Sequence, residues 1–241
     1  MQPVWDDVQN RRRFLVRGGM GMAAAGLTGA SALADQAPPP PKNKRAPMTS
    51  ERNLEALLKG NARFVAGDPA CEPATVHRTE LADGQAPFAA VLGCSDSRVP
   101  VEAIFDHNPG DIFVVRVAGN FVDANGLGSL EYSVAVLKSS LLLVLGHSKC
   151  GAVSAAVKFV EDGTTAPGHI QGLIEAIEPA AKAARGRGGD WVADAVAENV
   201  RFAVADLTKR STVLAAAHAD GSLAIHGGVY DLHTGTVHIL E

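Results

Sequence analysis

The chain is short of cysteine, of aromatic residues, of surplus charge and of long hydrophobic runs. Only Cys71, Cys94 and Cys150 are present among 241 residues, too few for a disulfide framework, so each must be read on its own. Aromatic residues make up 5%, hydrophobic residues 46% and charged residues 20%, which excludes a disordered chain, a collagen and a disulfide-stapled mini-protein. The formal net charge is −4, and nothing at the whole-chain level points to a nucleic-acid partner. The charge-free run Gly18 to Ala34 is too short and too weakly apolar for a membrane span. No internal repeat is found. The length suits one domain of ordinary size with a substantial core.

What is present begins with an address. Arg11-Arg12-Arg13-Phe14-Leu15-Val16-Arg17 precedes the charge-free run, which ends in Ala32-Leu33-Ala34, a small-x-small cleavage site. A basic head, an apolar middle and a small-residue end make an export signal over residues 1–34. The Arg-Arg-x-Phe-Leu order resembles the twin-arginine type, which carries proteins already folded. Four arginines and two aspartates leave with it, so the remainder is more acidic, as suits a periplasmic protein. Residues 35–48 contain Pro38-Pro39-Pro40-Pro41, which favours an extended spacer and cannot continue a helix.

Thr49-Ser50 followed by Leu54, Leu57, Leu58, Ala62 and Val65 predicts a capped amphipathic helix ending near Gly67. Residues 70–87 read as irregular. Phe88–Gly93, Ile112–Val117 and Leu141–Gly146 are short apolar runs of buried-strand type. Helical spacing marks 127–137, 152–160, 170–184 (with Ile170, Leu173, Ile174 and Ile177 on one side) and Trp191 to Lys209. A short helix capped by Ser211 follows, then strands Leu223–Tyr230 and Val237–Leu240 around a Thr234-Gly235 turn. Trp191 and Phe202 read as core. The pattern predicts an α/β fold: a mainly parallel central sheet flanked by helices, with an antiparallel edge at the C-terminus.

Two apolar runs end in reactive residues, Gly93-Cys94-Ser95-Asp96-Ser97-Arg98 and Gly146-His147-Ser148-Lys149-Cys150. Ligands of open parallel sheets bind at the carboxyl ends of strands, so neighbouring strands would bring Cys94, His147 and Cys150 together. Two thiolates and an imidazole suit Zn²⁺, and a count of three leaves one position for water, as in catalytic sites. Zinc lowers the pKa of such a water far below its bulk value of about 15.7 and yields a hydroxide nucleophile near neutrality. Asp96 is close enough to meet that water or to bind the ion, and Arg98 can hold its carboxylate with forked donors. While the pair holds, Asp96 stays ionised and aims the hydroxide; if it breaks, Asp96 becomes the fourth ligand and closes the site. Taken singly, Cys94 and Cys150 read as core thiols, His147 as a satisfied core histidine and Asp96–Arg98 as a loop-pinning pair. Cys71 has no partner motif. Gly119-Asn120 reads equally as a close backbone approach or a plain turn. His107, His169, His218, His226, His233 and His238 have no selecting spacing.

Cys94-Ser95-Asp96-Ser97-Arg98 with His147-Ser148-Lys149-Cys150, together with Gly110–Asn120 and Gly128-Ser129-Leu130-Glu131-Tyr132, resembles the β-class carbonic anhydrases over about residues 50–241. The resemblance implies a domain spanning 49–241 and one zinc per chain on Cys94, His147 and Cys150. It implies Asp96–Arg98 as a catalytic dyad, with Asp96 a metal ligand only in the closed form. The implied reaction is hydration of CO₂ to bicarbonate and a proton by the zinc-bound hydroxide. The implied assembly is a homodimer or dimer of dimers in which an N-terminal helical arm embraces the partner. Two alternatives stay open: a CS₂ or COS hydrolase on the same scaffold, and a non-catalytic zinc-binding protein with Asp96 permanently on the metal. The expected partners are CO₂ or bicarbonate, a second copy and the export machinery.

Overall fold

The computed structural model describes residues 49–72 and 78–241. The expected export signal (1–34) and linker (35–48) lie outside the described residues.

Helix α1 (Ser50–Ala66) begins where the Thr49 side chain accepts the Arg52 N–H and ends at Gly67, whose φ of 70° closes the last turn. The face it docks is not the leucine stripe expected from hydropathy. Asn53, Leu57, Gly60 and Asn61 are buried, whereas Ala62 and Val65 are exposed and Leu54 and Leu58 half-buried. Asn53 Nδ2 donates to Ser140 Oγ at 2.8 Å, and Asn61 Nδ2 donates to the carbonyls of Ile104 (3.1 Å) and Gly235 (2.8 Å). Asn61 Oδ1 accepts the Val237 N–H at 2.9 Å. Gly60 lies so close to Phe105 that a Cβ would stand 1.7 Å from its carbonyl oxygen. Docking by side-chain amides and a glycine is invisible to an apolar period.

The segment expected to be irregular includes a four-residue helix, α2 (Arg78–Leu81). Strand β1 (Ala89–Gly93) follows, then the one-turn helix α3 (Val101–Ile104), strand β2 (Ile112–Arg116) and helix α4 (Ala124–Ala135). Strand β3 (Leu141–His147) leads into helices α5 (Gly151–Asp162), α6 (Ile170–Ala184), α7 (Trp191–Arg210) and α8 (Thr212–Ala219). Strands β4 (Ala224–Tyr230) and β5 (Val237–Leu240) complete the chain. Helices α2 and α3 are too short to show a period. The other elements lie within a few residues of their expected bounds.

The sheet order is β2-β1-β3-β4-β5, parallel except for the β4–β5 edge. Every residue of β1 and β3 is buried, which is why both read as unbroken apolar runs. One face packs under α1 and α3 through Leu57, Val91, Ile104, Phe105 and Leu143. The other packs under α4, α7 and α8 through Leu92, Leu130, Val144, Leu207 and Leu214. Helix α7 lies close on the sheet because a Cβ at Gly146 or Gly227 would stand 2.6 or 2.7 Å from Val200. On the solvent side of α7, Phe202 is 44% exposed, which corrects its expected place in the core; Ile170 at the start of α6 is also exposed. Trp191 packs against the α5–α6 cluster and donates Nε1–H to the Ala181 carbonyl at 2.8 Å.

The chain leaves β1 for β2 on one side and then crosses to β3 on the other. The strand order therefore reverses between β1 and β3, and the crevice outside their carboxyl ends is the topological switch point of the sheet.

Candidate metal centre

Three side chains meet at that switch point. Cys94 follows the last residue of β1, His147 is the last residue of β3, and Cys150 is the N-cap of α5. Gly93 pairs with Leu145, so Cys94 and His147 leave adjacent strands side by side. The Ser148-Lys149 turn brings Cys150 back. Lys149 takes φ 55°, Ser148 N–H donates to the Tyr230 carbonyl (2.9 Å), and Ser148 Oγ accepts the Leu232 N–H (2.9 Å). The ligand atoms of Cys94, His147 and Cys150 all lie within 4.8 Å of one another, and all three residues are buried.

The imidazole is set up as a ligand. His147 Nδ1 lies 3.0 Å from the Ser148 carbonyl, which assigns the proton to Nδ1 and leaves the lone pair on Nε2. Nε2 is buried and has no hydrogen-bond partner. A buried lone pair without a donor costs free energy unless something fills the place, and here it faces two thiols. This donor set fits zinc, which takes sulfur and nitrogen in a tetrahedron.

The two thiols divide their protons unequally. The Cys150 S–H donates to Cys94 and, against the cost of burial, pulls the Cys94 thiol far below its ordinary range; the N–H groups of Gly119 and Asp96 add to this. Those N–H groups lie 3.2 Å and 3.4 Å from Cys94 Sγ. Cys150 keeps its proton and is pushed up by the hydrogen bond it donates to Cys94 and by burial, and the Ala152 and Val153 N–H groups of α5 offset only part of this. A dication held by both sulfurs would displace that last proton.

Asp96 stands beside this triad. Its Oδ1 accepts the Arg98 N–H and Nε–H, both at 2.9 Å, and its Oδ2 accepts Arg98 Nη2 at 2.7 Å. These bonds hold the carboxyl far below the usual carboxylate range, despite partial burial. Oδ2 is 3.9 Å from His147 Nε2, close to the triad but not bonded to it.

Arg116, Gly119 and Asn199 support the site; of the three only Gly119 was marked in the sequence, as a close backbone approach or a plain turn. Arg116 Nε donates to the Cys94 carbonyl at 2.8 Å and Nη2 to that of Asp96, so it fixes the backbone carrying both side chains. Its only signal was a cation closing an apolar strand. Gly119 resolves as a close approach: φ is 81°, a Cβ would stand 2.4 Å from Ile177 Cδ1, and its N–H meets Cys94. The carbonyl of Gly119 is held by Asn199 of α7. Among the described residues no other histidine joins the triad. His107 lies near Phe88 before β1, and His218 turns to the Leu223 carbonyl. Cys71 instead meets Asp106.

The profile of the family described as carbonic anhydrase matches residues 89–237. A solved β-carbonic anhydrase from Coccomyxa superposes with a TM-score of 0.60 at 32% identity, covering 78% of this chain and 85% of that one. The chain belongs to the β-carbonic anhydrase family. Carbonic anhydrase 2 of Mycobacterium tuberculosis is 45% identical over 182 residues, covering 75% of this chain and 88% of that protein. A tetrameric β-carbonic anhydrase of the ascomycete Sordaria macrospora superposes with a TM-score of 0.61 at 27% identity, over 78% and 97% of the two chains. The family's matched region begins at β1 and ends at β5, so it contains both strand ends that form the triad.

Proposed function

We propose that this chain is a carbonic anhydrase, a lyase that interconverts CO₂ with bicarbonate and a proton, and that it holds one Zn²⁺ on Cys94, His147 and Cys150. The observation that carries the reading is two thiols and a partnerless imidazole nitrogen converging within 4.8 Å at the switch point. Zinc bound there acidifies a water and so supplies a nucleophile near neutral pH.

The protein's own groups have separate tasks. Cys94 and Cys150 give charge to the ion; the N–H groups around Cys94 keep that charge localised. His147 supplies Nε2 because the Ser148 carbonyl holds Nδ1–H. Asp96 Oδ2 is the carboxylate oxygen nearest the triad, and an ionised carboxylate can only accept. It therefore accepts a hydrogen bond from the attacking water and orients the water's remaining lone pair toward CO₂. Arg98 keeps Asp96 ionised and turned to itself; were that pair released, the carboxylate would be free to act as a fourth ligand and close the site. Cys94 and Cys150 share a buried cluster with Val153 and Ile177, against which Phe121 packs, and this would give CO₂ an apolar surrounding.

The assembly reading is a homodimer or dimer of dimers. It is supported by the leucine side of α1, where Leu54, Leu58, Ala62 and His226 line a groove of about 450 Å³ that no other part of the described residues fills. The location reading is the periplasm, reached through the twin-arginine-type signal; its support is the order Arg11-Arg12-Arg13-Phe14-Leu15 and the small-residue site ending at Ala34.

Metal analysis with stopped-flow CO₂ hydration tests the function. The expected result is one zinc per chain, activity lost on chelation and regained with zinc. Full zinc without CO₂ hydration would overturn it in favour of a non-catalytic or different hydrolytic role.

A further inference from the structure

Asn199 sits on α7, 3% exposed, in an otherwise apolar stripe with Val196, Val200 and Ala203. A buried amide there needs a partner. Asn199 Nδ2 donates to the Gly119 carbonyl at 2.7 Å, across 80 residues of sequence. Three turns further along the same helix, Arg210 Nη1 donates to the Val122 carbonyl. Two side chains of one helix thus hold both ends of the short loop from Gly119 to Val122. The loop has no regular structure of its own, and Gly119 and Asn120 both take positive φ (81° and 44°). What it delivers is the Gly119 N–H, 3.2 Å from Cys94 Sγ.

We infer that Asn199 is a positioning residue of the metal centre: by fixing the Gly119 carbonyl it holds the Gly119 N–H on the Cys94 sulfur and so tunes how strongly that sulfur donates to the metal. The inference rests on the zinc reading above. The same helix carries Val200 against Gly146, one residue before His147, so α7 touches both sides of the site. A hydrogen bond to a thiolate lowers the energy of its lone pairs. Removing it makes the sulfur easier to oxidise and moves a sulfur-to-metal charge-transfer band to lower energy. Partners outside the ligand set change metal affinity about 10–100-fold in other proteins. Asn199 acts one contact further out, so a loss of about tenfold is expected.

The test uses the full chain loaded with Co²⁺, whose near-ultraviolet thiolate band reports on the sulfurs directly, and zinc affinity by chelator competition. Asn199→Leu keeps the branched outline of the side chain and removes the donor; Asn199→Ala is the second variant should the larger leucine fail to fold. Asn199→Gln keeps an amide donor. Val204→Ala on the same helix serves as a packing control. The inference predicts a red-shifted band in the Leu and Ala variants, because the sulfur loses its hydrogen bond, and weaker zinc binding, because the Gly119 loop no longer holds that sulfur in its place among the ligands. It also predicts partial return of both in the Gln variant, and no band shift in Val204→Ala even where its thermal midpoint falls. A folded Asn199→Leu or Asn199→Ala protein with the wild-type band and zinc affinity overturns the inference while leaving the metal site standing. A wild-type chain that shows no thiolate band overturns the metal site, and the inference with it.

Discussion

Asp96 and Asp106 are both carboxylates held ionised by an arginine, yet their settings differ. Arg98 is 54% exposed at the crevice, so the pair holding Asp96 can open. The Asp106 side chain is fully buried. Burial alone would push its carboxyl up, but the Ala70 N–H, the Arg63 guanidinium and the thiol and N–H of Cys71 outweigh that and hold it low. Asp96→Asn should keep zinc, because the three ligands are untouched, and lose about 100-fold or more in kcat, the low end of what a positioned acid–base group contributes. Parallel metal analysis and stopped-flow kinetics check this; full activity would remove Asp96 from the mechanism. Asp106→Asn should cost about 2 kcal/mol at neutral pH by weakening charged hydrogen bonds. A carboxyl with a lowered folded pKa stabilises above its unfolded value of about 3.9 and loses that effect as pH falls toward the folded value. Denaturant melts should therefore show the gap between variant and parent closing below about pH 4. Cys94, His147 and Cys150 were legible because each lies within three residues of a strand end and the strands announced themselves. Asn199 was not, since its partner is 80 residues away and nothing local marks an asparagine as a clamp.

At the level of elements, the buried parallel strands were the easiest to read and α1 the most misleading. β1 and β3 touch protein on both faces, so their residue types leave little choice. Helix α1 shows an apolar period, but the face it buries is built from Asn53, Leu57, Gly60 and Asn61. Periodicity reports where apolar residues lie, not whether the contact they make is within the chain. The two four-residue helices gave no period at all. Gly60→Ala separates the two kinds of reasoning. Propensity alone predicts stabilisation of about 1 kcal/mol in a helix interior. The carbonyl of Phe105 at 1.7 Å from the new Cβ is backbone and cannot swing away, so α1 must shift and break the Asn61 bonds. The variant should lose about 2 kcal/mol or more net, seen as a lower urea midpoint with an unchanged slope. A neutral or stabilised variant would show that α1 docks more loosely than described.

For the whole molecule, the ligands come from parts of the fold that the core already holds. His147 closes a strand buried along its entire length, Cys94 follows another, and Cys150 starts a helix packed on α6 and α7. Stripping the metal with a chelator should therefore leave far-ultraviolet circular dichroism unchanged. The melting temperature should fall by an amount that depends on free zinc, as mass action requires. Unfolding on chelation would contradict a core-supported site. The export signal proposed for residues 1–34 makes a separate prediction: Arg11→Lys with Arg12→Lys should leave the precursor in the cytoplasm, read by fractionation. Export of that variant would reject the twin-arginine assignment.

The Ser148 carbonyl and the Gly119 and Asp96 amides fix His147 and Cys94 through the protein's own backbone, so the proposed ion would meet donors whose places the fold already sets. Emptying such a receptacle, offering it cadmium or cobalt in place of zinc, and refilling it should each proceed without passing through the unfolded state. Its selectivity must then come from a rigid span between two sulfurs and a nitrogen, not from a chain that wraps to suit each guest.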